Sequence, residues 1–94
     1  MENYELTLVL PEKATPAKKK SMTETIGKIV KTLKGEVKKA DDWGKVDLAY
    51  EIKGNNAGNF LFYQIELDKS QAPNLEQKVR MEEGIIRHLL VREE

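Results

Sequence analysis

Cysteine is absent from this 94-residue chain, which excludes disulfides and thiolate metal sites and leaves the redox compartment unmarked. Histidine occurs once, at His88. With no second imidazole or thiol to join it, it cannot build a nitrogen- and sulfur-ligated metal centre, so neither metal nor cofactor is expected. Net charge is absent too, because 16 basic and 16 acidic residues cancel. A protein that grips nucleic acid unaided is usually basic overall or on one face, and this one is not basic overall. Long apolar runs are missing, none approaching the roughly 20 residues that span a bilayer. The opening MENYELTLVLPEK has no basic segment before its apolar run and is too short for a secretory signal. The expectation is one cytoplasmic domain, 1–94, with a modest core and no membrane partner.

What the chain does have is pattern. Tyr4 to Leu10 alternates apolar and polar residues, as a half-buried strand does, and Pro11 ends it. Thr15 and Pro16 read as the cap and first position of a helix. Met22, Ile26, Ile29, Val30 and Leu33 place one apolar stripe on that helix, and Gly35 suits the left-handed residue that closes it.

The segment Asp41–Ile52, DDWGKVDLAYEI, carries the clearest period of two. Val37 sits at an odd position and the later apolar residues at even ones, so one extra residue near Trp43-Gly44 would restore a common inner face. A bulge is expected there within one kinked strand, Glu36 to Ile52. Gly54 to Gly58 reads as a turn, and Asn59 to Leu67 as the strand that pairs back. Ser70 is expected to cap a second helix striped by Ala72, Leu75 and Val79. Gly84 breaks it, and Ile85 to Arg92 is the last strand.

Strand, helix, strand, strand, helix, strand, joined by right-handed crossovers, gives an α+β ferredoxin-like fold. It is a four-stranded antiparallel sheet with two helices on one face. The covered face is expected to hold Leu6, Leu8, Val37, Leu48, Tyr50, Leu61, Tyr63, Ile65 and Leu90. The bare face should present Val9, Ala49, Phe60, Phe62, Leu89 and Val91, an apolar patch that calls for a partner. Trp43 is expected to close over the core at the kink, with contact to a partner as the alternative.

Catalytic chemistry has little purchase here. His88 lacks the companions of a triad, Ser21 and Ser70 sit at or near helix starts, and the adjacent acids Asp41-Asp42 and Glu82-Glu83 lie in polar segments. Gly54 and Gly58 lack the lysine and hydroxyl of a phosphate loop. RNA-recognition motifs share this element order and stack bases on sheet aromatics. Here Asn59 stands where their first aromatic belongs and Leu61 fills the next aromatic place, so direct stacking is disfavoured.

Together these residues resemble one family along nearly the whole chain, ribosomal protein six of the bacterial small subunit. The matched blocks are Tyr4-Glu5 with Val9; Asp42-Trp43-Gly44-Lys45 with Leu48-Ala49-Tyr50 and Ile52; Gly58, Phe60 and Tyr63; and Ile86-Arg87 with Leu90-Val91. The resemblance implies a non-enzymatic ribosomal component with no small-molecule substrate. It also implies binding to the central domain of small-subunit ribosomal RNA as a heterodimer with ribosomal protein eighteen. Departures are Val46 and Asp47, where relatives often have basic residues, and Glu51, where many have proline. Some relatives run on past the last strand; here it is followed only by Glu93 and Glu94, so no tail contact is expected.

Lys45, Arg87 and Arg92 are expected to contact phosphate, with Lys38 and Lys39 behind them; pairing of the arginines with Glu82 or Glu93 is the alternative. Val9, Phe60, Phe62, Leu89 and Val91 are expected to meet the protein partner. The rival is a ferredoxin-like module that self-associates through the same face. An acylphosphatase-type enzyme would need an arginine between Pro11 and Pro16, and there is none.

Overall fold

The computed structural model describes residues 1–93, and its elements follow the expected order. They are β1 (Glu2–Pro11), α1 (Pro16–Thr32), β2 (Glu36–Ile52), β3 (Asn55–Leu67), a short 3-10 turn (Lys69–Gln71), α2 (Ala72–Arg80) and β4 (Arg87–Arg92). The sheet order is β2-β3-β1-β4, every pair antiparallel. This is the ferredoxin-like βαββαβ arrangement.

The core lies between the sheet and the two helices. Tyr4, Leu6, Leu8 and Leu10 of β1 and Leu61, Tyr63, Ile65 and Leu67 of β3 meet Ile26 and Val30 of α1 and Leu75 and Val79 of α2. The even positions of β1 pair with odd positions of β3, so the period of two delivers each strand's larger apolar set to one side. Tyr63 is buried and shares a 2.9 Å hydrogen bond with the Thr23 hydroxyl, which satisfies its phenol inside the core.

Several local expectations change. Thr15 does cap α1, its Oγ1 accepting from the Lys18 N–H at 3.2 Å. The left-handed residue after α1, however, is Lys34 (φ 64), not Gly35. Gly35 answers a different need, because a Cβ there would stand 2.6 Å from the Glu66 carbonyl oxygen. Ser70 is not the cap of the second helical segment. Asp68 caps the 3-10 turn before α2, its Oδ1 accepting from the Ser70 N–H at 2.9 Å and hydroxyl at 2.7 Å, while Gln71 stands at the N-cap of α2 without a side-chain cap bond. Those bonds hold the Asp68 carboxyl below the usual aspartate range. The turn between β2 and β3 is only Lys53 and Gly54 (φ 48 and 81), the two-residue hairpin geometry with both residues left-handed. Asn55 to Gly58 therefore belong to β3 rather than to a loop.

The β2–β3 ladder slips three times, between Val37 and Lys39, between Asp42 and Gly44, and between Asp47 and Ile52. The second slip is the bulge expected at Trp43-Gly44, with Gly44 left-handed (φ 76). The first slip, at Lys38, had no glycine to announce it. Two one-residue slips cancel, so Val46, opposite Gly58, lies on the uncovered face. The third slip leaves Leu48 to Glu51 out of register. Tyr50 consequently does not join the core: it is 64% exposed. Leu48 is only half-buried.

Candidate functional site

The uncovered sheet face can be read as rows from the register. Phe60, Val9 and Arg87 form one row, Phe62, Thr7 and Leu89 the next, and Gln64, Glu5 and Val91 the third. Phe60, Phe62, Leu89 and Val91 thus share one face, as their parity requires. Val9 lies among them but is only 4% exposed. Its surface is covered by close neighbours, because any Cβ at Gly58 would collide with the Val9 methyl. Val9 is the floor of the patch and offers a partner almost nothing directly. Ala49, expected beside it, lies in the out-of-register part of β2.

Trp43 does not close over the core. Its ring lies on Phe62 at 4.9 Å between centroids and 11° between planes, a parallel stack on the bare face, and the residue is 53% exposed. The physical reason is the bulge: the extra residue sits opposite no partner and turns toward the aromatic beside it. Two further apolar residues join this face that sequence reasoning put elsewhere or left out. Val46 is exposed opposite Gly58, and the Tyr50 hydroxyl accepts a 3.1 Å hydrogen bond from Arg87 Nη1, linking β2 to β4. The signal was present in the shared parity of Val46, Leu48 and Tyr50. Reading it required knowing of the slip at Lys38.

Asn59 explains why the aromatic register differs from an RNA-recognition motif. It is buried on the helix side, and its Nδ2 donates to the Pro11 carbonyl at 2.9 Å and the Glu12 carbonyl at 3.1 Å. An aromatic there would point into the core and leave those carbonyls unbonded.

The candidate cations do not converge. Lys38, Lys39 and Lys45 ride on β2, one edge of the sheet, while Arg87 and Arg92 ride on β4, the opposite edge. Each β2 lysine also has a carboxylate: Lys38 with Glu36 at 3.2 Å, Lys39 with Asp41 at 3.5 Å and Lys45 with Glu12 at 2.9 Å. The bond to Glu12 holds the Lys45 ammonium above the ordinary lysine value, and Glu36, then Glu66, does the same for Lys38. Among the described residues neither arginine has a carboxylate within ion-pair distance, so the expected alternative of pairing with Glu82 or Glu93 does not occur. The exposed β2 pairs are weak and exchangeable. The β2 lysines and Arg92 thus stand at two margins, whereas the Arg87 guanidinium reaches in over the bare face to Tyr50.

Comparison with known proteins agrees with this geometry. The sequence model of the family described as ribosomal protein S6 matches residues 3–92. The small ribosomal subunit protein bS6 of Pelagibacter ubique is 33% identical over 92 residues, spanning 98% of this chain and 76% of that one. The bS6 protein of Desulforudis audaxviator is 29% identical over 94 residues, with both chains fully covered. The crystal structure of 30S ribosomal protein S6 from Thermotoga maritima superposes with a TM-score of 0.89 at 26% identity, covering 98% of this chain and 87% of that one. The chain belongs to the ribosomal protein S6 family and is a protein of the small ribosomal subunit, which in bacteria is cytoplasmic.

Proposed function

We propose that this chain binds the central domain of small-subunit ribosomal RNA as a heterodimer with ribosomal protein eighteen, the partner covering the bare sheet face. Its role is structural rather than catalytic, exercised by one domain and without a cofactor. One observation carries this reading: exposed apolar side chains of both edge strands, with Trp43 stacked on Phe62, flank half-buried Phe60 and Phe62 on one face of a chain with no net charge. Such a patch favours burial against protein. A neutral chain with its cations split between two edges is a weak polyanion binder until a basic partner adds charge.

Phe60 and Phe62, with Leu89 and Val91, are the proposed partner contacts, Val9 supporting them from below. Arg87 and Arg92 are the proposed phosphate contacts at one margin, and Lys45, with Lys38 and Lys39, at the other. Lys45 would exchange Glu12 for phosphate.

The test is a gel-shift titration of a central-domain RNA fragment with this chain, with ribosomal protein eighteen, and with both. Binding is expected from the mixture and not from this chain alone. Binding by this chain alone at the affinity of the mixture would overturn the reading. So would a stable homodimer in sedimentation that excludes ribosomal protein eighteen. Truncating Phe60 and Phe62 together to alanine is expected to weaken the heterodimer by about 2 kcal/mol or more, roughly thirtyfold.

A further inference from the structure

Asp42 and Lys19 have no part in the contacts proposed so far, yet they adjoin Trp43 from behind. Asp42 pairs with Leu61, a core-side residue, so it lies on the helix side of the sheet. Its Oδ1 accepts the Gly44 N–H at 2.8 Å, closing the bulge around Trp43. Lys19 of α1 donates to the same carboxylate at 3.2 and 3.4 Å. Gly44 is left-handed there (φ 76), a conformation other residues adopt only with strain. The direction of Trp43 is thus set by a turn, a carboxylate and a helix together.

The result is a ring with one face spent on Phe62 and much of its surface in solvent. A ring held in place before contact loses little freedom on docking. The charges around it choose the occupant. On this face Asp41 is matched by Lys39 and Glu36 by Lys38. Arg87 donates to the Tyr50 hydroxyl, which is not a carboxylate, and so keeps its charge on this face. Glu5 and Glu66 share the face through their register, and neither has a cation within ion-pair distance among the described residues. Two such carboxylates against the one guanidinium of Arg87 favour a cationic peptide segment over a polyanion. Arginine suits the ring itself, since its planar guanidinium stacks on an indole face.

We infer that Asp42 is a positioning residue for partner docking: it locks the bulge that presses Trp43 onto Phe62 and so presents the free indole surface to an arginine-bearing segment of a basic protein partner. This rests on the reading of the bare face as a protein-docking surface.

Trp43 is the only tryptophan, so its near-ultraviolet circular dichroism and fluorescence report on the platform in the full chain. Asp42→Ala is expected to collapse the Trp43 dichroic signal while far-ultraviolet ellipticity is kept, and to lower affinity for ribosomal protein eighteen about tenfold. Asp42→Asn retains an oxygen for the Gly44 N–H and is expected to restore the signal and bring affinity to within about threefold of wild type. Trp43→Leu keeps the apolar cover but removes the ring, and is expected to match the tenfold loss of the alanine variant. An Asp42→Ala protein with wild-type dichroism and wild-type affinity overturns the inference. So does undiminished binding by Trp43→Leu. If wild-type protein binds no ribosomal protein eighteen at all, the docking reading fails as well, and the dichroism alone still decides whether Asp42 sets the ring. Quenching of Trp43 by the central-domain RNA fragment alone, at the partner's affinity, overturns the choice of a protein occupant.

Discussion

Gly35 shows how a single residue type carries two messages. A glycine after a helix usually signals a left-handed terminator, but here Lys34 takes that conformation and Gly35 is small because β3 passes over it. The sequence marks the position and not the reason, since the neighbour that forbids a Cβ is Glu66, 31 positions away (66 minus 35). Gly35→Ala is expected to destabilise by about 3 kcal/mol, because the clash is with backbone and cannot relax by a rotamer change. Urea denaturation measures this, and a cost under about 1 kcal/mol would contradict the packing. Tyr63 gives a second check. Burial raises its pKa, the Thr23 bond opposes that, and the Asp42 charge adds to the rise. A folded value above the unfolded one means that stability is full below the ordinary tyrosine range and falls as pH climbs from there through the folded value. Ultraviolet titration should therefore show a tyrosine step above the ordinary tyrosine range, and Tyr63→Phe should abolish that step.

At the scale of elements, the parity of β2 marks the bulge at Trp43 but not which face the residues after it take. The ladder slips twice before Asp47, and each slip exchanges faces. Bulges without glycine, such as that at Lys38, leave no local mark, so the faces of β2 became legible only through its register with β3. β1, β3 and both helices were legible because their apolar sets match a single unbroken period. The shared face of Phe60, Phe62, Leu89 and Val91 followed from that period, while Tyr50 and Val46 did not. The tight turn offers its own test. Lys53 adopts φ 48, which asparagine tolerates better than lysine. Lys53→Asn is expected to stabilise the protein by about 0.5 kcal/mol, read as a higher urea midpoint with unchanged slope.

For the whole molecule, zero net charge and a divided set of cations bear directly on how RNA binding responds to salt. Each lost phosphate contact should flatten the slope of log affinity against log salt by roughly one unit. Arg87→Ala or Lys45→Ala is expected to do so in the proposed heterodimer–RNA complex and to weaken all central-domain sequences alike. An unchanged slope for either variant removes that residue from the contact set. Net neutrality was legible from composition, but the separation of the cations to opposite margins was not, because strand order brings β4 beside β1 and sends β2 to the far side.

The same broken ladder governs how spare copies behave. A rim 17 residues long with regular unpaired amides would be a ready template for another chain. The outer side of β2 instead changes step three times and carries Lys38, Lys39 and Lys45 along its length. A second copy of the chain therefore meets no straight seam along which to add a strand.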